Sequence, residues 1–318
     1  MNRAYLFITA LFVLIFMSCQ SAKKNNTERQ NEVELVAEKQ LVFPLDEQTY
    51  YLSKSMFQFE ENGKEYLHFE NTQKSLYDIV IFDIENRQIA KRIPLSKTGP
   101  NGLPAVSGSR PSPDSEQILI SQNNIGRLST INNQGEVVRN YPVESPKGRF
   151  TAFFFCSYYN TPAFVKDSCI FLNQDILKPN MKREDWPQTH MFASLNLKTG
   201  KFKWVPIFYP PIFKEEYDNI AGGYGFSYDY NYKENRLICG FFGYDSLMVT
   251  DDLKHIRWYN AKSRYLKSMK PKLGNAMAGI NSIIEFCETP KYWHIMYDKY
   301  RNVYYRFAEM PYKLAPNE

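Results

Sequence analysis

Apolar and polar residues alternate between positions 57 and 103, and this two-residue period is typical of half-buried β-strands. The segments MFQF and EYLHF are joined by an Asn62-Gly63 pair, which is a strong hairpin signal. The segment YDIVIFDI then turns at Glu85-Asn86 into RQIAKRIPL, and the loop TGPNG ends the unit. The pattern predicts a four-stranded antiparallel sheet. Such a sheet needs neighbours of the same kind, because it cannot bury both of its faces alone.

The same unit recurs along the chain, and its second strand is the easiest part to align. The five second strands, each with the polar turn that precedes it, are EENGKEYLHF, SPDSEQILI, VKDSCIFL, YKENRLICGF and ETPKYWHIM. The repeat length of about 50 to 70 residues is within the range of four-stranded propeller blades. We therefore predict an all-β fold, a β-propeller of four-stranded antiparallel blades of which five are readable.

The register of the repeat also predicts which side chains form the cores between blades. Apolar residues at equivalent positions of the repeated strands are expected to be buried there. These residues are Ile79, Ile81, Ile118, Ile120, Ile170, Leu172, Leu237 and Val249.

Closure of the ring is the unusual feature of this pattern. Propellers usually pair an N-terminal strand with the last blade, which removes an exposed sheet edge. The natural closing strand is VELVAEKQLVFPL at 33–45, but the fifth unit ends near Met310 with at best a partial outer strand. We therefore expect an incomplete six-bladed ring with an open seam between the fifth unit and the first, which begins near Met56. A ring that closes with fewer blades is the alternative.

Residues 1–18 are predicted to be a secretory signal peptide, because a short basic segment precedes the apolar run LFITALFVLIFM. The ending Ser18-Cys19 resembles the lipobox of bacterial lipoproteins, so we expect lipid attachment at Cys19; an ordinary signal peptide with an incidental cysteine is the alternative. Residues 19–32 are polar and suit a flexible tether, which leaves 33–318 for the propeller. By analogy with known lipoproteins, the lack of an acidic retention signal after the cysteine favours the outer membrane.

Several segments together carry a resemblance to a known family. They are Cys19 after its apolar run, IVIFDIENRQ, TGPNGLP and the turns of the INNQGEV type. In these features residues 33–310 resemble the TolB-like six-bladed β-propeller lipoproteins of Bacteroidetes, many of which are domains of unknown function. The resemblance implies a propeller in the cell envelope, facing the periplasm or the exterior. Its motifs are structural, so it implies no active site.

Composition and charge add little to this picture. Aromatic residues make up 16% of the 318 residues, and Tyr and Phe favour the pleated, half-buried surface of a strand. The net charge of +5 is modest, and Lys and Arg are scattered along the chain instead of forming a stripe. Binding of nucleic acid is therefore not expected.

Four cysteines follow Cys19, and they leave two readings open. An oxidising periplasm permits disulfides among an even number of cysteines, and Cys156 and Cys169 are expected on adjacent strands of one hairpin. Cys239 and Cys287, however, lie in apolar runs, where a free thiol behaves as a small hydrophobic side chain. Pairing and burial as free thiols both remain open, and no pair has the close spacing of a zinc site.

The sequence contains no pattern for a metal or cofactor. His68 and His294 lie among aromatic residues in second strands, so we expect them to pack or to form local hydrogen bonds. Residues 229–233 resemble the start of a calcium loop but lack its Gly at the sixth and its Glu at the twelfth position, and we interpret them as a hairpin. No nucleophile motif or phosphate-binding loop is present, so we predict no catalytic residue and no cofactor.

Ligands of propellers generally sit over the central channel, where loops between blades and between strands reach them. In this chain those loops carry side chains that suit a saccharide, peptide or protein ligand. The candidates are Asn101, Arg110, Arg149, Arg183, Trp186, Tyr224 and Tyr244. The leading hypothesis is a membrane-anchored binding or scaffold propeller. The alternative is a propeller enzyme, a lyase or hydrolase acting on a saccharide or lactone, whose acid and base residues converge only in the fold.

Overall fold

A computed structural model describes residues 40–49, 56–72, 77–112, 116–122, 125–143, 153–175, 187–210, 225–266 and 287–312. Residues up to Val42 form a separate unit, and Phe43–Glu318 form the compact unit that contains all of the sheets described below. Apart from short helical stretches, as at 187–188 and 287–288, the regular structure of the described ranges consists of β-strands, which confirms the all-β prediction. In those ranges we find no helix long and apolar enough to cross a membrane.

The first two sheets are four-stranded meanders in which each strand pairs antiparallel with the next. The Asn62-Gly63 turn has the two positive φ angles, 51° and 74°, that a tight hairpin turn requires, so this prediction is confirmed. The strands are β1 (Met56–Glu61), β2 (Lys64–Thr72), β3 (Tyr77–Asp83), β4 (Gln88–Pro94), β5 (Gly108–Pro111), β6 (Ile118–Gln122), β7 (Arg127–Ile131) and β8 (Val137–Pro142).

The third sheet departs from the regular blade, because its innermost strand is split in two. Its strands are β9 (Phe153–Phe155), β12 (Phe164–Lys166), β13 (Cys169–Asp175), β14 (Phe192–Asn196) and β15 (Phe202–Trp204). Both β9 and β12 pair with β13, at its two ends. The chain between them leaves the sheet and forms a small hairpin of β10 (Ser157–Tyr158) and β11 (Thr161–Pro162), which we call the central hairpin.

The fourth sheet is again a four-stranded meander, of β16 (Phe226–Asn231), β17 (Arg236–Phe241), β18 (Ser246–Thr250) and β19 (Arg257–Asn260). The fifth sheet contains two described strands, β20 (Lys291–Asp298) and β21 (Val303–Glu309), which match the predicted second and third strands of the fifth unit. The register of all five units therefore agrees with the repeat found in the sequence.

Apolar clusters fill the four interfaces between successive sheets, as expected for propeller blades that pack face to face. Seven of the eight predicted core residues are buried, and the eighth, Ile81, is half-buried against the first of these clusters. The pairs of buried residues that share a cluster across an interface are, in order, Ile79 with Ile120, Leu119 with Leu172, Phe192 with Tyr228, and Ile238 with Ile295.

The predicted closing strand at 33–45 is not a strand in its described part, residues 40–45. Pro44 lacks the N–H that a ladder needs, and Asp46 accepts a hydrogen bond from the backbone N–H of Gln48 in a turn. Phe43 packs on the first sheet, where its ring lies 5.5 Å from that of Phe82. The remaining part of the predicted strand, residues 33–39, lies outside the described residues.

Candidate functional site

The central hairpin lies where the innermost strands of the blades converge. It contacts β1, β5 and β16, which belong to the first, second and fourth sheets. The Tyr228 hydroxyl donates to the Thr161 carbonyl oxygen at 3.1 Å, and the Trp293 indole N–H of the fifth sheet donates to the Tyr159 hydroxyl at 3.2 Å. The centre of the propeller is therefore occupied by the chain's own hairpin.

Next to this hairpin lies a group of buried polar side chains that we call the axial cluster: His68, Glu70, Ser109, Arg110 and Cys156. The Ser109 hydroxyl donates to Glu70 Oε1 at 2.7 Å, and His68 Nε2 lies 2.7 Å from the same hydroxyl oxygen. Because the hydroxyl has one hydrogen and gives it to the carboxylate, His68 Nε2 is the donor toward Ser109. The serine is thus held by the carboxylate and is not activated by the imidazole.

Burial keeps the His68 imidazole and the Cys156 thiol beside Arg110 neutral. Desolvation, with a smaller contribution from the Arg110 charge, lowers the pKa of the His68 imidazole from 6.5 to about 3. Desolvation also raises the pKa of the Cys156 thiol to about 12, because the uncharged thiol is favoured away from water. The cluster therefore contains neither a thiolate nor a protonated imidazole at neutral pH, and it lacks an activated nucleophile.

The fifth and first sheets face each other across an opening of about 520 Å³, which we call the seam groove. The groove is lined by Gln58, Phe59, Glu60, Glu65, Asp229, Met296, Tyr297, Asp298, Lys299 and Tyr300. Lys299 Nζ reaches across it to 3.9 Å from Glu65 Oε1. Aromatic rings and carboxylates therefore line one opening between the turns of two hairpins, β1–β2 and β20–β21.

Asp229 is the most enclosed carboxylate of the seam groove. Its Oδ2 accepts a hydrogen bond from the Tyr297 backbone N–H at 2.7 Å, and Oδ1 accepts one from the Tyr230 N–H at 2.8 Å. Desolvation raises the pKa of this carboxyl, and the two N–H donors oppose the rise. A carboxylate fixed in this way is an oriented acceptor for hydroxyl groups of a ligand.

Of the seven candidate ligand residues, three are described, and they do not form one site. The Asn101 side-chain oxygen accepts the Val137 backbone N–H at 3.1 Å, and the Tyr244 ring packs 5.9 Å from Trp258. Arg110 is not a loop residue as expected, because it lies within β5 and is buried in the axial cluster. The other four, Arg149, Arg183, Trp186 and Tyr224, lie outside the described residues.

The structure also describes the four cysteines after Cys19 and the segment 229–233, which was predicted to be a hairpin. All four cysteines in the described ranges are free, and Cys156 lies between β9 and β10 instead of on a strand beside Cys169. Within the same ranges, no three His, Cys, Asp or Glu side chains are grouped to hold a metal ion. Asn231 Oδ1 accepts the backbone N–H of Lys233 and closes the β16–β17 hairpin, as predicted for residues 229–233.

Sequence reasoning did not find the seam groove. In the sequence, Tyr297 and Tyr300 belong to a repeated strand of the fifth unit and to the turn after it. In the structure they line one groove together with Phe59 of the first unit. No local motif could have indicated this, because the two sides are more than 230 residues apart. His68 forms a hydrogen bond, but it is not the local one that was expected, because its partner Ser109 comes from the next blade.

Comparison with known proteins places these features in a family. Residues 32–318 match the model of a domain of unknown function, DUF4221. A crystal structure of a DUF4221 member from Bacteroides vulgatus is 83% identical, covers 91% of this chain and 80% of its own, and superimposes with a TM-score of 0.81. A search of curated proteins gave no match.

Two more distant structures are also similar. A putative exported protein from Bacteroides fragilis is 8% identical over 84% of this chain and 74% of its own, with a TM-score of 0.48. The catalytic domain of a GH62 α-L-arabinofuranosidase from Coprinopsis cinerea is 13% identical over 71% and 73%, with a TM-score of 0.40. Both are too distant to bear on function. The match over nearly the whole chain shows that this protein belongs to the DUF4221 family.

Proposed function

We propose that this protein is a binding propeller without catalytic activity, tethered to the outer membrane through lipid on Cys19, and that it holds a saccharide in the seam groove. The resemblance to six-bladed TolB-like lipoproteins supports the location, facing the periplasm or the cell exterior. One observation carries the binding role. The seam groove brings the rings of Phe59, Tyr297 and Tyr300 together with the enclosed carboxylate of Asp229.

The groove suits a sugar in both chemistry and size. A pyranose has a face of C–H groups that packs on aromatic rings and a rim of hydroxyls that donate to carboxylates. The volume of about 520 Å³ is within the range of about 300–1,000 Å³ that is usual for ligand pockets. Tyr300 is 79% exposed, and Lys299 Nζ lies 5.0 Å from its ring centroid, which leaves the other face of the ring for a ligand from solvent.

A lyase or hydrolase is the second candidate function. The observation that favours it is the pair of hydrogen bonds that connect His68 to Ser109 and Ser109 to Glu70. The direction of the hydrogen bonds opposes it, because the hydroxyl donates to the carboxylate. Burial opposes it as well, since all three side chains are almost completely removed from solvent and from a substrate. The binding role is therefore the better supported of the two.

Removing one ring or one carboxylate from the groove is expected to weaken saccharide binding. Tyr300→Ala and Asp229→Asn should each lower the affinity about tenfold, or about 1.4 kcal/mol. A glycan array with the mature wild type identifies the saccharide, and isothermal titration calorimetry with that saccharide measures the affinities. Tyr265→Ala, which removes a similarly exposed ring outside the groove, is the control and should bind normally. Equal affinities in all four proteins would place the saccharide elsewhere and contradict the proposal.

Lipid attachment is tested separately, because the tether and the groove are independent parts of the proposal. Cells grown with an alkyne fatty acid should incorporate the label into the wild-type protein and not into Cys19→Ser. Ser18→Ala, which keeps a small residue before the cysteine, is the control and should be labelled. Label in Cys19→Ser at the wild-type level would refute attachment at this residue.

A further inference from the structure

Arg110 is an unusual residue in the axial cluster, because it places a positive charge inside the propeller. Its side chain projects from β5 of the second sheet and is 5% exposed. The guanidinium carbon lies 4.2 Å from the ring centroid of Phe57 on β1, so one face of the cation packs on an aromatic ring of the first sheet. The charge is thus held between two blades.

Most of the guanidinium's hydrogen-bonding capacity is unused within the described chain. Nε and Nη1 are buried and have no hydrogen-bond partner there. Burial lowers the pKa of the guanidinium, and the nearby side chains of Tyr232, Cys156 and Tyr228 oppose this change. None of the three is a carboxylate, and burial raises the pKa values of Cys156 and Tyr228.

Glu70 does not serve as the counterion of Arg110. Its Oε1 accepts the hydroxyl of Ser109, the residue before Arg110 in β5. The influences on the pKa of the Arg110 guanidinium are burial, Tyr232, Cys156 and Tyr228, and Glu70 is not among them. Within the described residues Arg110 forms no ion pair with Asp or Glu, and its charge remains without a direct partner.

A buried charge without a partner is strongly unfavourable, and proteins normally supply an opposite charge and hydrogen-bond acceptors for it. We propose that Arg110 binds a small monovalent anion, a halide or a carboxylate group, through Nε or Nη1 at the axis of the propeller. A single negative charge neutralises the guanidinium, whereas a divalent anion would leave excess charge in the same buried place. Tyr232, one of the side chains that act on the guanidinium, is 58% exposed.

This site is distinct from the seam groove and does not depend on it. The anion would join a cation of the second sheet, a ring of the first sheet and, through Tyr232, the fourth sheet. A ligand that binds only the folded protein stabilises it in proportion to its occupancy. Anion binding should therefore be visible as an increase in thermal stability.

The test uses the mature protein in sodium HEPES at constant ionic strength, with chloride, acetate or sulfate replacing part of the HEPES anion. The unfolding temperature of the wild type should rise by roughly 2–4 °C and saturate with chloride or acetate. Response to chloride alone assigns a halide site, and response to acetate assigns a carboxylate site. No response, or a response to sulfate alone, overturns the proposal.

Arg110→Met should abolish this response. Arg139→Met is the matched control, because Arg139 also stacks on a ring, that of Tyr141 at 5.1 Å, but donates to the backbone carbonyl of Lys198. The control should keep the wild-type response, and a response retained in Arg110→Met overturns the proposal.

A second measurement does not require the variant to fold. In wild-type crystals soaked in sodium bromide, or in sodium bromoacetate if acetate was the active anion, an anomalous peak should lie within hydrogen-bonding distance of Nε or Nη1. A site that contains only water there overturns the proposal.

Discussion

Replacing Gly135 with alanine is expected to destabilise the propeller by about 2–5 kcal/mol, as the sum of backbone strain and a steric clash. Gly135 has φ of +82°, where a side chain is unfavourable by about 1–2 kcal/mol. A Cβ atom there would also lie 1.9 Å from the carbonyl oxygen of Pro94, at the end of β4 in the first sheet. The β7–β8 turn of the second blade packs directly on the first blade, so the clash would separate the two blades.

Gly63→Ala is the matched control for this experiment. Gly63 has a similar φ of +74°, but a Cβ atom there would meet nothing within 4 Å. It should therefore cost only the backbone strain of about 1–2 kcal/mol. Urea unfolding of the two variants and the wild type gives both differences. Equal losses in the two variants would show that contact between the blades at Gly135 is not important for stability.

Acid is expected to destabilise the protein through His68. The unfolded chain binds a proton on this imidazole below pH 6.5, whereas the folded protein resists protonation until about pH 3. The stability that the neutral, buried imidazole provides is complete above pH 6.5 and is lost as the pH falls toward 3. In this window the group should contribute a slope of up to about 1.4 kcal/mol per pH unit to the free energy of unfolding.

His68→Gln separates this effect from the titration of carboxylates. The glutamine amide can still donate to Ser109, but it does not titrate, so the dependence of stability on pH between 6.5 and 4 should become shallower. Urea unfolding at intervals of one pH unit measures the slope. A slope in His68→Gln that equals the wild-type slope contradicts the assignment.

The substitutions of Gly135 and His68 both change contacts between blades, and both variants can also be tested for saccharide binding. Gly135 lies on the outer part of the ring and His68 near its axis, so neither substitution touches the seam groove. Saccharide binding by the folded fraction of these variants should therefore be preserved. The stability of the ring and the chemistry of the groove can thus be measured independently.

The fold was predictable to the level of individual strands. The apolar residues of YDIVIFDI predict the strand β3, and Ile79 lies in the core as expected, although β3 is buried on both faces instead of one. Turn residues such as Asn62-Gly63 fix where strands end, because their conformational preferences act over two residues. The split inner strand of the third sheet was not predicted. Its two halves, β9 and β12, keep the apolar character of a strand, and only the hairpin between them distinguishes it from a regular blade.

The axial cluster and the seam groove were decided by the tertiary structure. His68 forms a hydrogen bond with Ser109 because two neighbouring blades pack face to face. Tyr300 and Phe59 line the same groove because the fifth blade lies next to the first. The sequence by itself determined the strands, the turns, the repeat and most of the core, since these depend on the period of side-chain exposure and on local backbone preferences. The sites depend on how whole blades are arranged around an axis, and the apolar pattern that packs blades together does not specify which polar side chains meet between them.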